Sequence, residues 1–154
     1  MKLKITSPER VVFEWDIQKI NISTENGYIW ILPWHVPLTT VVKPWIAKIT
    51  VPAEKKEHLV KSSDFLFDEN EDIIISVSKW LLFLDWESIL VTTSAATTNP
   101  WESEEALLTS KQSLEKNIEE LKAKWSLEDM EKAFMDLEKI HADLKLFKMK
   151  GIVK

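Results

Sequence analysis

The spacing of apolar residues changes once along this chain, from strand-like alternation to helix-like periodicity, and the change falls at the small-residue stretch Thr92 to Asn99. Before it, residues 3–7 and 11–14 flank a Ser-Pro-Glu-Arg turn (Ser7 to Arg10) and predict an opening hairpin. From Gln18 to Ile22, Ile20 and Ile22 fall on one face and Lys19 and Asn21 on the other, as in a half-buried strand. A turn at Thr24 to Gly27 leads to runs at Tyr28–Leu32, Leu38–Val42, Ile46–Val51, Asp72–Val77, Leu81–Asp85 and Ser88–Val91. Short strands separated by turn residues predict a β-sandwich or barrel. Pro33 and Pro37 cannot donate ladder hydrogen bonds, so the segment around His35 is expected to cross between sheets at the surface.

Beyond Asn99 the composition turns to Glu, Lys and Leu. Asn99 reads as a helix N-cap, Pro100 as a first-position proline and Glu102 as a capping-box acid. Leu107, Leu114, Ile118 and Leu121 keep one face of a helix that runs to about Lys124, where Trp125-Ser126 reads as a stop and a new cap. A second helix to about Met149 carries Met130, Phe134, Leu137, Ile140, His141, Leu144 and Phe147 on one stripe, whose simplest partner is the first helix. The fold class is therefore β plus α: an N-terminal β-sandwich over residues 1–95 and a C-terminal antiparallel two-helix hairpin over residues 99–150.

Composition narrows the function. The net charge of −5 argues against nucleic acid, which needs a basic face to neutralise phosphates. Cysteine is absent, removing disulfides, thiolate metal sites and thiol catalysis. No apolar run is long enough to span a membrane and no leader pattern is present, so the expectation is a soluble intracellular protein. Glycine and tryptophan are both abnormal: 2 Gly and 8 Trp, which together make an ordinary glycine content. Trp34 and Trp45 follow prolines, Trp86 follows Asp85, and Trp125 sits at a helix end, all places where glycine is favoured. The expectation is that UGA codons meaning glycine in the source stand here as tryptophan; the alternative is an aromatic binding surface for carbohydrate or another ligand.

Read with glycine at Trp30, Trp34 and Trp45, the stretch Glu25 to Ile46 (ENGYIWILPWHVPLTTVVKPWI) resembles the epsilon subunit of F-type ATP synthases. Gly27, Ile31, Pro33, His35, Pro37, Leu38, Thr40, Lys43 and Pro44 match that family's pattern as they stand. The opening ITSPERVVFEW, with Trp15 at a glycine position, and Lys79 to Asp85 resemble it as well. Residues 52–70, with AEKKEH and FDENED, depart from the family and read as an insertion, a lengthened hairpin or solvated loop.

The resemblance implies a non-catalytic central-stalk subunit that couples proton-driven rotation to ATP synthesis, bound to a gamma shaft subunit and the rotor c-ring. It implies a peripheral place at the cytoplasmic face of the inner (plasma) membrane, touching membrane only through the complex. Glu25, Tyr28, His35, Pro37 and Leu38 are the implied shaft- or ring-binding residues, with Tyr28 where the family often has Glu and Glu25 the nearest acid to serve instead. The resemblance further implies that the helices extend into the catalytic head subunits and inhibit ATP hydrolysis, with Lys139, Lys145, Lys148 and Lys150 as the basic residues. Charge counts agree with a basic end: residues 139–154 hold five Lys and one Asp, whereas residues 102–131 hold nine Asp/Glu and four Lys. Favourable interaction with the helix dipole explains the same asymmetry without inhibition. Relatives that bind ATP use arginines on the helices, and the single arginine here, Arg10, lies far from them in sequence, so no cofactor is expected.

No catalytic constellation appears. His35, His58 and His141 are scattered, and no glycine-rich phosphate loop or metal-ligand spacing exists. His35 reads as a locally bonded turn residue, His58 as solvated and His141 as a packing residue. The competing reading is an adaptor unrelated to ATP synthesis, its β domain and helical hairpin binding another protein.

Overall fold

A computed structural model describes residues 1–62, 64–100 and 103–152. The alternating runs become strands: β1 (Lys2–Thr6), β2 (Val11–Asp16), β3 (Lys19–Thr24), β4 (Gly27–Ile31), β5 (Leu38–Val42) and β6 (Trp45–Thr50). After a helix, α1 (Ala53–Ser62), come β7 (Leu66–Phe67), β8 (Ile73–Val77), β9 (Trp80–Leu84), β10 (Ser88–Thr93) and β11 (Ala96–Thr97). Two layers form. One runs β11-β8-β6-β3, with β4 added beside β3 and β7 beside β8; the other runs β5-β9-β10-β1-β2. The pair Thr24–Val42 joins β3 to β5 at the corner between them.

The inward residues of both layers make one core: Leu3, Ile5 and Phe13 from one side meet Ile20, Ile22, Ile49, Ile73 and Ile75 from the other, with Leu82, Ile89 and Val91. Strand β8 is buried along its whole length. Ile73, Ile75 and Val77 join the sandwich core, while Ile74 belongs to a second cluster on the opposite face. A strand covered on both sides reads as a continuous apolar run rather than an alternation, which accounts for the sequence Ile-Ile-Ile-Ser-Val.

What covers that second face is the hairpin. Helices α2 (Glu104–Lys124) and α3 (Leu127–Ile152) pack on each other, and α3 also lies across β6 and β8. Leu146 is fully buried against Ile46 and Ile74, with Trp45, Leu66 and Met149 around it. The expected helix–helix stripe is thus divided between α2 and the sheet, and Phe134 and His141 are left exposed.

Two further expectations are corrected. Helix α2 begins at Glu104 and not after Asn99, because Ser103 takes the N-cap and its hydroxyl accepts from the Ala106 N–H at 3.1 Å. Serine caps as well as asparagine does, and Glu104 and Glu105 supply the acidic first turn. Trp101 and the expected capping acid Glu102 lie outside the described residues. The stretch read as a solvated loop or longer hairpin holds α1, whose Leu59 is buried in the sandwich core beside Phe65 and Phe67. Phe65 meets Phe13 edge to face at 5.7 Å between centroids. Its following acidic loop is tied down too, since Asp68 accepts from the N–H groups of Asn70 and Asp72 and from Lys48 at 2.9 Å.

Candidate functional site

Three surfaces stand out. The first is the β4–β5 loop, where Leu32, Trp34 and Val36 are exposed. The His35 N–H donates to the Leu32 carbonyl at 3.1 Å and its ring nitrogen Nδ1 lies 2.7 Å from the Val36 carbonyl, so His35 braces the turn. Trp34 is held at φ 71° and is 87% exposed. Pro37 is exposed beside it, while Leu38 is half-buried against the core and anchors the loop.

Sequence grouped Glu25 and Tyr28 with His35, Pro37 and Leu38, and the structure separates them along β4. Five residues of strand span about 17 Å, so Glu25 and Tyr28 sit at the other end. Tyr28 is exposed there. Glu25 pairs with Lys79 at 3.7 Å and borders a cavity of about 490 Å³. Lys43 and Pro44 line one side of that cavity, Met130 and Phe134 of α3 the other.

The second surface was not singled out from the sequence. On β9, Leu82 and Leu84 point into the core, so Leu81 and Phe83 point out; Phe83, 49% exposed, faces Leu90 of β10 and Thr39 of β5. The signal was present in Trp-Leu-Leu-Phe-Leu, apolar on both faces, as in β8. Here no described helix covers the outer side, and a clustered exposed apolar face marks a contact surface. At its edge Lys4 pairs with Glu14 at 3.5 Å. Hydrogen bonding and attraction from Lys2, reinforced by Lys4, hold the Glu14 carboxyl below its ordinary value.

The third surface is the hairpin itself. Of the four lysines at its basic end, Lys145 and Lys148 are exposed, and Lys150 donates to the Pro100 carbonyl at 3.2 Å. Lys139 differs from them: it is 9% exposed, under the helix, 2.5 Å from Asp143 and 3.0 Å from the Thr97 hydroxyl. Helix α2 ends at Trp125, in the left-handed region at φ 56°, as a helix stop requires. The Ser126 carbonyl accepts from the Met130 N–H, and its hydroxyl donates to Asp129 at 2.7 Å. His58 is exposed on α1. Among the described residues no group of three or more metal-ligating side chains converges, and no helix is long and apolar enough to cross a membrane.

A two-layer β-sandwich with a helical hairpin docked on one face, and a braced His-containing loop at one end, is the architecture to be placed. Residues 1–81, just over half of the chain, match the profile of the ATP synthase delta/epsilon chain β-sandwich domain. The chain belongs to the ATP synthase delta/epsilon chain family. It is 35% identical over 60 residues to the ATP synthase epsilon chain of Nitratiruptor sp., covering 39% of this chain and 46% of that one. With the chloroplastic ATP synthase epsilon chain of Marchantia polymorpha it shares 30% identity over 105 residues, 68% of this chain and 78% of that one. The chain spans about half the length of relatives such as the Nitratiruptor protein. A chain in the structure of the Euglena gracilis mitochondrial ATP synthase has the same fold at a TM-score of 0.67 and 12% identity, over 94% of this chain and 79% of that one.

Proposed function

We propose that this chain is the epsilon subunit of an ATP synthase central stalk: a non-catalytic rotor component that couples proton-driven rotation to ATP synthesis. The observation that carries the reading is the family match over residues 1–81 of the sandwich, joined to a fold in which the hairpin packs on that sandwich. Relatives named ATP synthase epsilon chain support it.

In this reading the sandwich has two partners. The braced loop, with His35, Pro37 and Leu38, meets the rotor ring, and the apolar face of Leu81, Phe83 and Leu90 lies against the gamma-like shaft. Glu25 and Tyr28 make a second contact from the opposite end of β4. A loop stiffened by its own hydrogen bonds suits a contact that must transmit torque, and an apolar face suits a permanent one. The chain then sits peripherally at the coupling membrane, on its cytoplasmic face, held there by the complex. The hairpin serves as a brake: released from the sheet, it carries Lys139, Lys145, Lys148 and Lys150 to the catalytic head and slows ATP hydrolysis.

Co-purification tests the main reading. Tagged chain recovered from membranes brings down a gamma-like shaft subunit and the ring in constant proportion. Recovery as a monomer without the shaft would turn the reading toward the unrelated adaptor.

A further inference from the structure

Over its first turns α3 carries an apolar stripe, Leu127, Met130, Phe134 and Met135, that faces the turns at one end of the sandwich. No packed core forms there. Leu127 is 77% exposed and Phe134 43%, and a cavity of about 490 Å³ lies between the helix and the sandwich. That volume suits a small molecule, and the lining is of the kind such sites have, apolar side chains with a few charged ones. The charges are divided by wall. Glu131 and Glu138 stand on the helix, whereas Glu25, Lys43 and Lys79 come from the β3–β4, β5–β6 and β8–β9 turns.

Glu25 and Lys79 pair with each other at 3.7 Å, whereas Glu131, Glu138 and Lys43 are exposed and have no ion-pair partner among the described residues. Two carboxylates therefore face one ammonium, and the balance favours a cation. Glu131 and Glu138 are seven residues apart, about 10.5 Å along the helix, and Phe134 lies between them on the same face. A cation over the Phe134 ring sits about 5 Å along the axis from the level of either carboxylate. Aromatic faces attract cations, and methionine side chains adapt to an irregular apolar body. We propose that this cavity binds a small hydrophobic cation, an ammonium or guanidinium on an apolar body, with the charge over Phe134 between Glu131 and Glu138 and the body against Met130 and Met135. Lys43 opposes such a ligand and limits its affinity. An anion of the same shape meets two unpaired carboxylates and gains only Lys43. The site is separate from the His35 loop and the Phe83 face and does not rest on their assignment to the ring and shaft.

Methionine reports on the site, because the chain has 4: Met130 and Met135 line the cavity, whereas Met1 packs on the sandwich core and Met149 beside Leu146. The full chain with isotope-labelled methionine methyls is titrated by NMR with phenethylammonium and, separately, with hydrocinnamate, an anion of similar apolar body, at constant ionic strength. The amine shifts the Met130 and Met135 signals along a saturable curve and leaves Met1 and Met149 in place; hydrocinnamate shifts none of them. Glu131→Gln with Glu138→Gln weakens amine binding by about 5-fold or more. Lys43→Met strengthens it. All three positions are exposed, and unchanged Met1 and Met149 signals confirm that each variant is folded. Absence of a saturable shift at Met130 and Met135 overturns the site, and so does a response spread over all four methyls. Equal binding of amine and hydrocinnamate overturns its preference for a cation, as does amine binding that survives the double substitution unweakened. The comparison of amine with anion uses the parent chain, so it decides even if a variant fails to fold.

Discussion

Ile74 of β8 and Leu146 of α3 pack against each other with no surface left exposed, although Ile73 and Ile75, on either side of Ile74, belong to the sandwich core. Adjacent isoleucines on one strand thus hold two different parts of the protein. Leu146→Ala and Ile74→Ala should each weaken hairpin docking by about 2–5 kcal/mol. Amide exchange would accelerate throughout α3 and leave β1 and β10 protected. Ile75→Ala, a truncation of the same size, should destabilise all strands together. Equal exchange profiles for Ile74→Ala and Ile75→Ala would mean that docking and sandwich form one unit.

Trp34 and Trp125 are the two described tryptophans at positive φ, at 71° and 56°, and both are almost wholly exposed. A bulky side chain gains nothing there and the backbone is strained, so Trp34→Gly and Trp125→Gly should each stabilise the chain by about 1 kcal/mol. Trp86→Gly, where φ is not positive, should give no such gain. Trp45→Gly should loosen α3, since Trp45 packs beside Leu146. If UGA is read as glycine in the source, peptide masses of native protein should show glycine at the eight Trp positions, and tryptophan masses there would refute that expectation.

Asp85 stabilises the β9–β10 turn through its ionised form. Hydrogen bonds from the Glu87 N–H and then the Ser88 N–H, at 2.8 and 2.7 Å, with the Ser88 hydroxyl, hold its carboxyl below the ordinary value. A carboxyl depressed in the folded state adds stability above its unfolded pKa, and that contribution is lost as pH falls through the folded value. Stability measured by denaturant should therefore decline as pH drops below about 4. Asp85→Ala should lower stability at neutral pH and flatten that decline.

Asp68 fastens the segment after α1. Its carboxylate, almost fully buried, accepts two backbone N–H groups and Lys48, and Thr50 donates to neighbouring Asp72 at 2.5 Å. Asp68→Ala leaves the two N–H groups unsatisfied and should destabilise the sandwich by about 1–3 kcal/mol, measured by thermal or denaturant unfolding. Glu69→Ala, at an exposed site, should have almost no effect.

Much of the architecture was legible because it follows local rules. Apolar patterning located the strands from β1 to β10 within a residue or two, except β7, which lies in the stretch read as an insertion, and Trp125 marked the break between the helices. Helix α1 was missed because a ten-residue, strongly charged segment with one core contact, Leu59, has little apolar periodicity to read. Long-range pairing was also invisible. Nothing local announces that Lys139 is buried, since Thr97, which accepts from it, and Ser76, which donates to its neighbour Asp143, come from strands far away in sequence. The braced His35 loop was found through its residues, whereas the Leu81–Phe83 face required knowing that nothing described lies over β9.

The most direct test places photo-crosslinking residues at His35 and Phe83 of the full chain in the cells that make it. The account predicts adducts with the rotor ring from His35 and with the gamma-like shaft from Phe83. Adducts with neither, or with an unrelated protein from both sites, would contradict it.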